Sequence, residues 1–318
     1  MLRLHLDTDL GGDSDDLCAL AYLLARADVE LTGVTTCCEN GGKRAGYVRY
    51  VLRLAGREDV PVAAGAQGSL GGWRDPCPPQ GPGLPDEAEN WPEPIGAWPS
   101  AAGEALDLLE RSVARGATVV GIGTYANLAL LEASRPGLLA GARLVLMGGY
   151  VRPPRPGLPA WGPEMDWNVQ QDAVAARLLY DRCHPILVPL DVTLGTCIRE
   201  VDLPPLRQAG GLGALLARQA VAHGAEWNSV EMRRASPGLP ADLLNFQYDP
   251  LACAVACGWD GAQVETMRLR VDCEDGWLVE RPDPTGREMQ VVTAVDGEGF
   301  GQHWLDTIVE GASRNGWM

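Results

Sequence analysis

Five carboxylates fall within ten residues near the amino terminus, Asp7-Thr8-Asp9-Leu10-Gly11-Gly12-Asp13-Ser14-Asp15-Asp16. Like charges gathered this densely repel one another, and burying them is costly unless a cation sits among them. Hard oxygen donors with no neighbouring Cys or His pair suit calcium or magnesium rather than zinc. A helix start would use one or two of these acids, since Asp15 or Asp16 can cap it and favour its dipole, but it has no use for Asp7, Asp9 and Asp13 as well. An EF-hand loop counted from Asp7 needs Glu at its twelfth position, where Cys18 stands. A phosphatase opening on Asp-x-Asp would continue to Thr where Gly11 stands and would need a downstream Lys, yet Lys43 is the only lysine. The segment reads as a metal site, and as a catalytic one.

The flanking residues say where such a site would sit. Leu2, Leu4 and Leu6 alternate with Arg3 and His5 as a strand running into Asp7, and Leu17, Leu20, Leu23 and Leu24 recur at helical spacing. The acids therefore lie where a strand's carboxyl end meets a helix start, the usual ligand position in an open α/β sheet. Buried strands are expected at Leu31 to Cys37, Val60 to Ala64, Thr118 to Ile122, Arg143 to Met147 and Pro185 to Leu190. Helical periodicity covers Arg44 to Leu54, Ala101 to Arg115, Ala126 to Ser134 and Asp172 to Tyr180. This alternation predicts one α/β domain over residues 1–318, with a mostly parallel, mixed central sheet flanked by helices. Thr266 to Val295 reads as strands around turns at Glu274-Asp275-Gly276 and Asp283-Pro284-Thr285-Gly286, and a last helix spans Gln302 to Val309. Residues 71–100 carry eight prolines with Trp73, Trp91 and Trp98, either a surface insertion or a lid whose rings cover a flat heterocycle.

A formal charge of -16 and a pI near 4.6 exclude nucleic acid and anionic membrane as partners and favour a neutral or cationic small substrate. No apolar run is long enough to span a bilayer and the start lacks a secretory pattern, so a soluble cytoplasmic protein is expected. The nine cysteines are odd in number and scattered in apolar segments, as reduced buried thiols would be, and none is assigned a catalytic role. His5, His184, His223 and His303 match no metal pair; His223 alone, near Glu226-Trp227-Asn228, is a candidate base contact.

Beyond these patterns, a series of short strings resembles the calcium-dependent nucleoside hydrolases, the inosine-uridine preferring family, over nearly the whole chain. It runs from the acidic opening through Gly33-Val34-Thr35-Thr36 with Asn40, Asp59-Val60-Pro61-Val62-Ala63-Ala64-Gly65 and Ile122-Gly123 with Asn127-Leu128-Ala129. Met147-Gly148-Gly149, Asp166-Trp167-Asn168 with Asp172, Leu190-Asp191-Val192-Thr193 and Asp249-Pro250-Leu251-Ala252 complete it. Each string is weak, and their shared order is specific. The resemblance implies a calcium ion (Ca2+) held by carboxylates of Asp9, Asp16 and Asp249 and by the main-chain oxygen of Ala126, where relatives have Thr. It further implies that Asp15 accepts from the ribose 2′-hydroxyl, that Asn40 and Asn168 orient carboxylates and sugar hydroxyls, and that Asp166 and Asp249 also face the substrate. A homodimer or homotetramer is implied too.

The implied reaction is hydrolysis of a ribonucleoside N-glycosidic bond, with Asp9 taking the proton of a calcium-bound water and the anomeric centre inverting. Departure of the base leaves an oxocarbenium-like cation, which a bed of carboxylates favours over neutral substrate. Tyr248 stands where many relatives have His as acid for the leaving base, and could protonate the base, stack on it or only pack. Asp166 replaces the usual Glu, and Ala160 and Trp161 stand where an Asn is usual, so recognition of the base and of the 5′ side is expected to differ. Two alternatives follow: a calcium-dependent nucleoside-binding protein without turnover, or a diverged member acting on an unusual ribosyl substrate in specialised metabolism.

Overall fold

Apolar runs of alternating period build a parallel core, and the first helix, Asp15–Ala25, is buried against it on every side. The structure is a computed structural model that describes residues 1–11, 13–71, 90–226 and 228–317. The first half alternates strand and helix: β1 (Leu2–Thr8), α1 (Asp15–Ala25), β2 (Val29–Thr36), α2 (Lys43–Leu54), β3 (Val62–Ala64), α3 (Glu104–Ala114), β4 (Thr118–Gly121), α4 (Ala126–Ser134) and β5 (Leu144–Met147). It continues with α5 (Trp167–Gln171), α6 (Ala173–Arg182), β6 (Ile186–Val188), α7 (Leu190–Thr193), β7 (Cys197–Arg199), α8 (Leu203–Gln208), α9 (Gly210–Glu226) and α10 (Ser229–Ala235). The last part holds β8 (Leu243–Phe246), α11 (Tyr248–Ala256), β9 (Ala262–Glu274), β10 (Trp277–Pro282), β11 (Arg287–Val295) and α12 (Gly297–Asn315).

Among the described residues nine strands form one sheet in the order β10-β9-β11-β6-β5-β4-β1-β2-β3. From β3 to β11 neighbours run parallel, and β9 and β10 extend the sheet antiparallel. The molecule is thus a single α/β domain with a mostly parallel, mixed sheet. The chain winds outward from β1 to β3 and then returns to lay β4 on the other side of β1. That reversal opens a crevice beyond the carboxyl ends of β1 and β4, where the acidic loop lies.

All eleven residues of α1 are buried, because the helix is enclosed by the sheet, α11 and α12. Close approach of α12 depends on Gly311, where an added Cβ would meet Ala25 Cβ at 2.4 Å. The carboxyl-terminal strands and both their turns stand where the sequence predicts them. The last helix is longer than expected at both ends, Gly297 to Asn315 instead of Gln302 to Val309. Three early glycines hide its start from periodicity, but the Asp296 side chain caps it by accepting the Gly299 N–H at 3.0 Å, and Phe300, Trp304, Ile308 and Ala312 bury one face.

Most of the Pro-rich segment, Trp73 included, lies outside the described residues, as do Gly12, Cys77 and Trp227. Trp91 is buried and stacks on Tyr47 of α2 with centroids 4.3 Å apart, while Trp98 is half exposed beneath Arg49. Trp91 thus docks the 90–99 segment on α2, and Trp98 packs against Arg49 of the same helix. The eight described cysteines are unpaired thiols, and no described helix is long and apolar enough to cross a membrane.

Candidate active site

Asp15 and Asp16 occupy the first turn of α1 and Asp249 the first turn of α11, so two helix amino termini aim their partial positive charge at one spot. Ligand oxygens of these three buried carboxyls lie within 4.8 Å of one another. Residues more than two hundred positions apart are brought together because α1 and α11 pack side by side. Burial and mutual repulsion hold all three acids well above the usual carboxylate range. A divalent ion would relieve that repulsion and draw them back into the ionised state. The all-oxygen donor set suits a hard cation, so the residues present fit calcium or magnesium.

The rest of the loop is organised around this trio. Thr8 donates its hydroxyl to Asp16 and accepts the Leu10 N–H at 3.2 Å, which turns the chain out of β1. Asp9, at the carboxyl end of β1, is buried beside Gly123, where a Cβ would stand 2.8 Å from its Oδ1. Its carboxyl lies outside the compact trio but acts electrostatically on all three members. Burial raises it first, and the Arg44 guanidinium and a hydrogen bond from Trp167 pull the other way. Arg44 also donates to the Asp9 main-chain oxygen and, at 2.9 Å, to that of Cys38.

Ala126 opens α4, fully buried, at the end of β4. Asn168, on α5, is buried and donates its Nδ2 to the carbonyls of Ile122 at 2.9 Å and Met147 at 3.1 Å, bridging the ends of β4 and β5. Asp166 caps α5 through the Val169 N–H at 3.3 Å and accepts the Gly149 N–H at 2.5 Å, so both oxygens are committed to backbone. Burial lifts it to about 6. Asn40 is exposed, and the buried residue beside it is Glu39, which accepts backbone N–H groups of Asn40, Gly42, Arg44 and Ala45 and so anchors the start of α2. Tyr248 precedes Asp249 at the start of α11, half buried with its ring 5.5 Å from Phe246. Burial and the neighbouring charges of Asp13, Asp15 and Asp249 push its phenol well above its ordinary value, which favours donating a hydrogen bond over releasing a proton.

Several site residues had no role assigned from sequence. Asp13 faces His223 Nε2 of α9 at 3.3 Å and accepts the Asn245 side chain of β8 at 2.6 Å. Asn127 donates to Asp7 at 2.8 Å and to the Thr36 carbonyl at 2.9 Å, tying α4 to β1 and β2. A polar Asn inside the apolar run Leu243 to Phe246 was the available signal for Asn245. For Trp167, between Asp166 and Asn168, no spacing pointed to a bond with Asp9.

The sequence pattern of the inosine-uridine preferring nucleoside hydrolases matches residues 4–302. A pyrimidine-specific ribonucleoside hydrolase, RihA, of Klebsiella pneumoniae subsp. pneumoniae is 32% identical over 222 residues, covering 66% of this chain and 67% of that protein. Its counterpart in Salmonella agona is 30% identical over 223 residues, with the same two shares. Among solved structures, the purine-preferring ribonucleoside hydrolase from Gardnerella vaginalis superposes with a TM-score of 0.77 at 23% identity, covering 98% of this chain and 99% of that one. A plant nucleoside hydrolase gives 0.78 at 18% identity over 97% and 99%. At these identities the two superpositions speak to the fold.

Proposed function

The chain belongs to the inosine-uridine preferring nucleoside hydrolase family, and on that premise we propose that it splits ribonucleosides into base and ribose by calcium-assisted attack of water with inversion. N-glycosidic hydrolysis is the family's reaction. What supports the calcium reading is one observation: three buried carboxyls from opposite ends of the chain crowd within 4.8 Å of one another. Asp9, Asp16 and Asp249, with the Ala126 main-chain oxygen, would hold the ion. Asp15 stands close enough to join them or to accept from the ribose 2′-hydroxyl. When bound, calcium supplies a fixed positive charge that grips the vicinal diol and makes a water a stronger nucleophile.

The chain's own groups do the rest. Asp9 receives the water's proton, and its position beside Arg44 and Trp167 keeps the carboxylate aimed. The acidic floor stabilises positive charge that develops on the pentose as the base departs. Asn168, with its Nδ2 spent on two carbonyls, would offer its Oδ1 to a sugar hydroxyl. Tyr248, at the start of α11, would hydrogen-bond to the leaving base or stack on it. Because the curated relatives are named pyrimidine-specific, uridine and cytidine are the first substrates to try. A reducing-sugar assay over purine and pyrimidine nucleosides tests the reading: activity should vanish in chelator and return with calcium. Full activity after exhaustive metal removal would reject it. A cytoplasmic homodimer or homotetramer completes the proposal, and sedimentation checks the assembly.

A further inference from the structure

A second buried acidic pair takes no part in the chemistry above. Glu280 lies on β10, in the antiparallel arm, yet it is fully buried. Its Oε2 accepts the Tyr150 N–H at 2.6 Å, and its carboxyl also takes a hydrogen bond from the Tyr180 hydroxyl. One residue earlier, the Gly149 N–H goes to Asp166 at 2.5 Å. Successive amides of a single turn are thus held by carboxyls from two distant elements. The turn requires glycine: Gly148 and Gly149 have φ of 141° and 109°, and a Cβ on Gly148 would meet the Tyr125 hydroxyl at 2.4 Å. Met147, at its start, offers the carbonyl that accepts both the Tyr125 hydroxyl at 2.7 Å and Asn168 Nδ2 at 3.1 Å.

We infer that Glu280 is a positioning residue for the glycosidic reaction: with Asp166 it pins the Gly148–Tyr150 turn from the antiparallel arm and so keeps Asn168 in place to meet a sugar hydroxyl. The inference rests on the nucleosidase reading above. A fully buried carboxyl held by a backbone amide of this turn and by a buried phenol is expensive to keep for packing alone. The groups facing it are the Asp166 carboxyl before α5 and the phenols of Tyr125 before α4 and Tyr180 of α6. On its own strand Arg281 turns outward to Glu274 at 2.5 Å. Burial, and next the Asp166 charge, lift Glu280 to about 8, so the pair holds one negative charge at neutrality. A second charge at higher pH would set the two acids against each other across two glycines and loosen the turn.

Two readouts test this. In the first, kcat/KM is measured from about pH 6 to about pH 10 for the parent, Glu280→Gln and Glu280→Ala, on a nucleoside that the parent cleaves. Gln should keep activity within about threefold at pH 7 and move the alkaline fall upward, whereas Ala should lose about tenfold or more at every pH. In the second, amide exchange over residues 147–150 reads the pinning without turnover, and Ala should speed it by about tenfold while Gln leaves it slow. An alkaline fall unchanged in Gln, or Ala as active and as protected as the parent, overturns the inference. A parent without turnover on any nucleoside sinks the underlying reading instead, and the exchange result still decides whether Glu280 pins the turn. If Ala does not fold, the Gln profile decides.

Discussion

Replacing Asp249 by Asn should make the metal-free protein more stable while removing its response to calcium. Two unit charges 4.8 Å apart at an effective dielectric near 20 repel by about 3.5 kcal/mol. Asp249 faces two such neighbours, Asp15 and Asp16, and part of this cost is already avoided because the buried acids hold protons above their usual range. Removing one charge with an isosteric amide should therefore stabilise the metal-free fold by about 2–4 kcal/mol, which for a domain this large raises Tm by several degrees, at roughly 2–4 °C per kcal/mol. Calcium at about 100 times its Kd should add about 2.7 kcal/mol to the parent and far less to Asp249→Asn. Thermal unfolding in chelator and across a calcium titration measures both effects, and nucleoside cleavage by the variant should be lost. A variant that melts below the parent in chelator, with an undiminished calcium shift, would refute the idea that these three carboxyls are held together for a cation.

Asp9→Asn should lower kcat by about 10²–10⁴ while keeping more of the calcium stabilisation than Asp249→Asn does, because its carboxyl lies outside the compact trio; single-turnover assays with parallel melts separate the two. Glu280 stays protonated in the fold up to about 8 but ionises from about 4.5 in the unfolded chain, so its contribution is whole below 4.5 and is lost as pH rises through that window. Glu280→Gln should remove that slope and gain on the order of 5 kcal/mol by pH 9, which denaturant titrations against pH would check. Trp91→Ala should cost about 3 kcal/mol through loss of its buried stack on Tyr47, with kcat on a good substrate little changed. A large fall in kcat there would assign a lid role to the 90–99 segment.

Much of the scaffold was legible because period-two and period-3.6 patterns are local. The helix from Ala126 to Ser134 and the turns at Asp275 and Pro284 needed nothing beyond neighbouring residues. The start of α12 was obscured by Gly297, Gly299 and Gly301, whose low helix propensity is overcome by an Asp296 cap and by burial against α1. Helices α8 to α10 had no expectation at all: Pro204 and Pro205 interrupt α8, Gly210, Gly211 and Gly213 blur α9, and α10 is only seven residues long.

Within the site, the sequence by itself determined that an acidic loop at a strand end must face a cation or remain protonated, since repulsion among Asp7, Asp9, Asp13, Asp15 and Asp16 follows from their spacing alone. Only the tertiary structure decided which of them meet. Packing of α1 on α11 selects Asp15 and Asp16 to join Asp249, while Asp13 is drawn aside to His223 and Asn245. It also decided that Glu280, a residue in an ordinary exposed-looking hairpin sequence, is buried against the turn beside Asp166. Charge density is a property of neighbours along the chain, but burial and hydrogen-bond partners are set by contacts between distant segments, and those exist only once the sheet has closed around them.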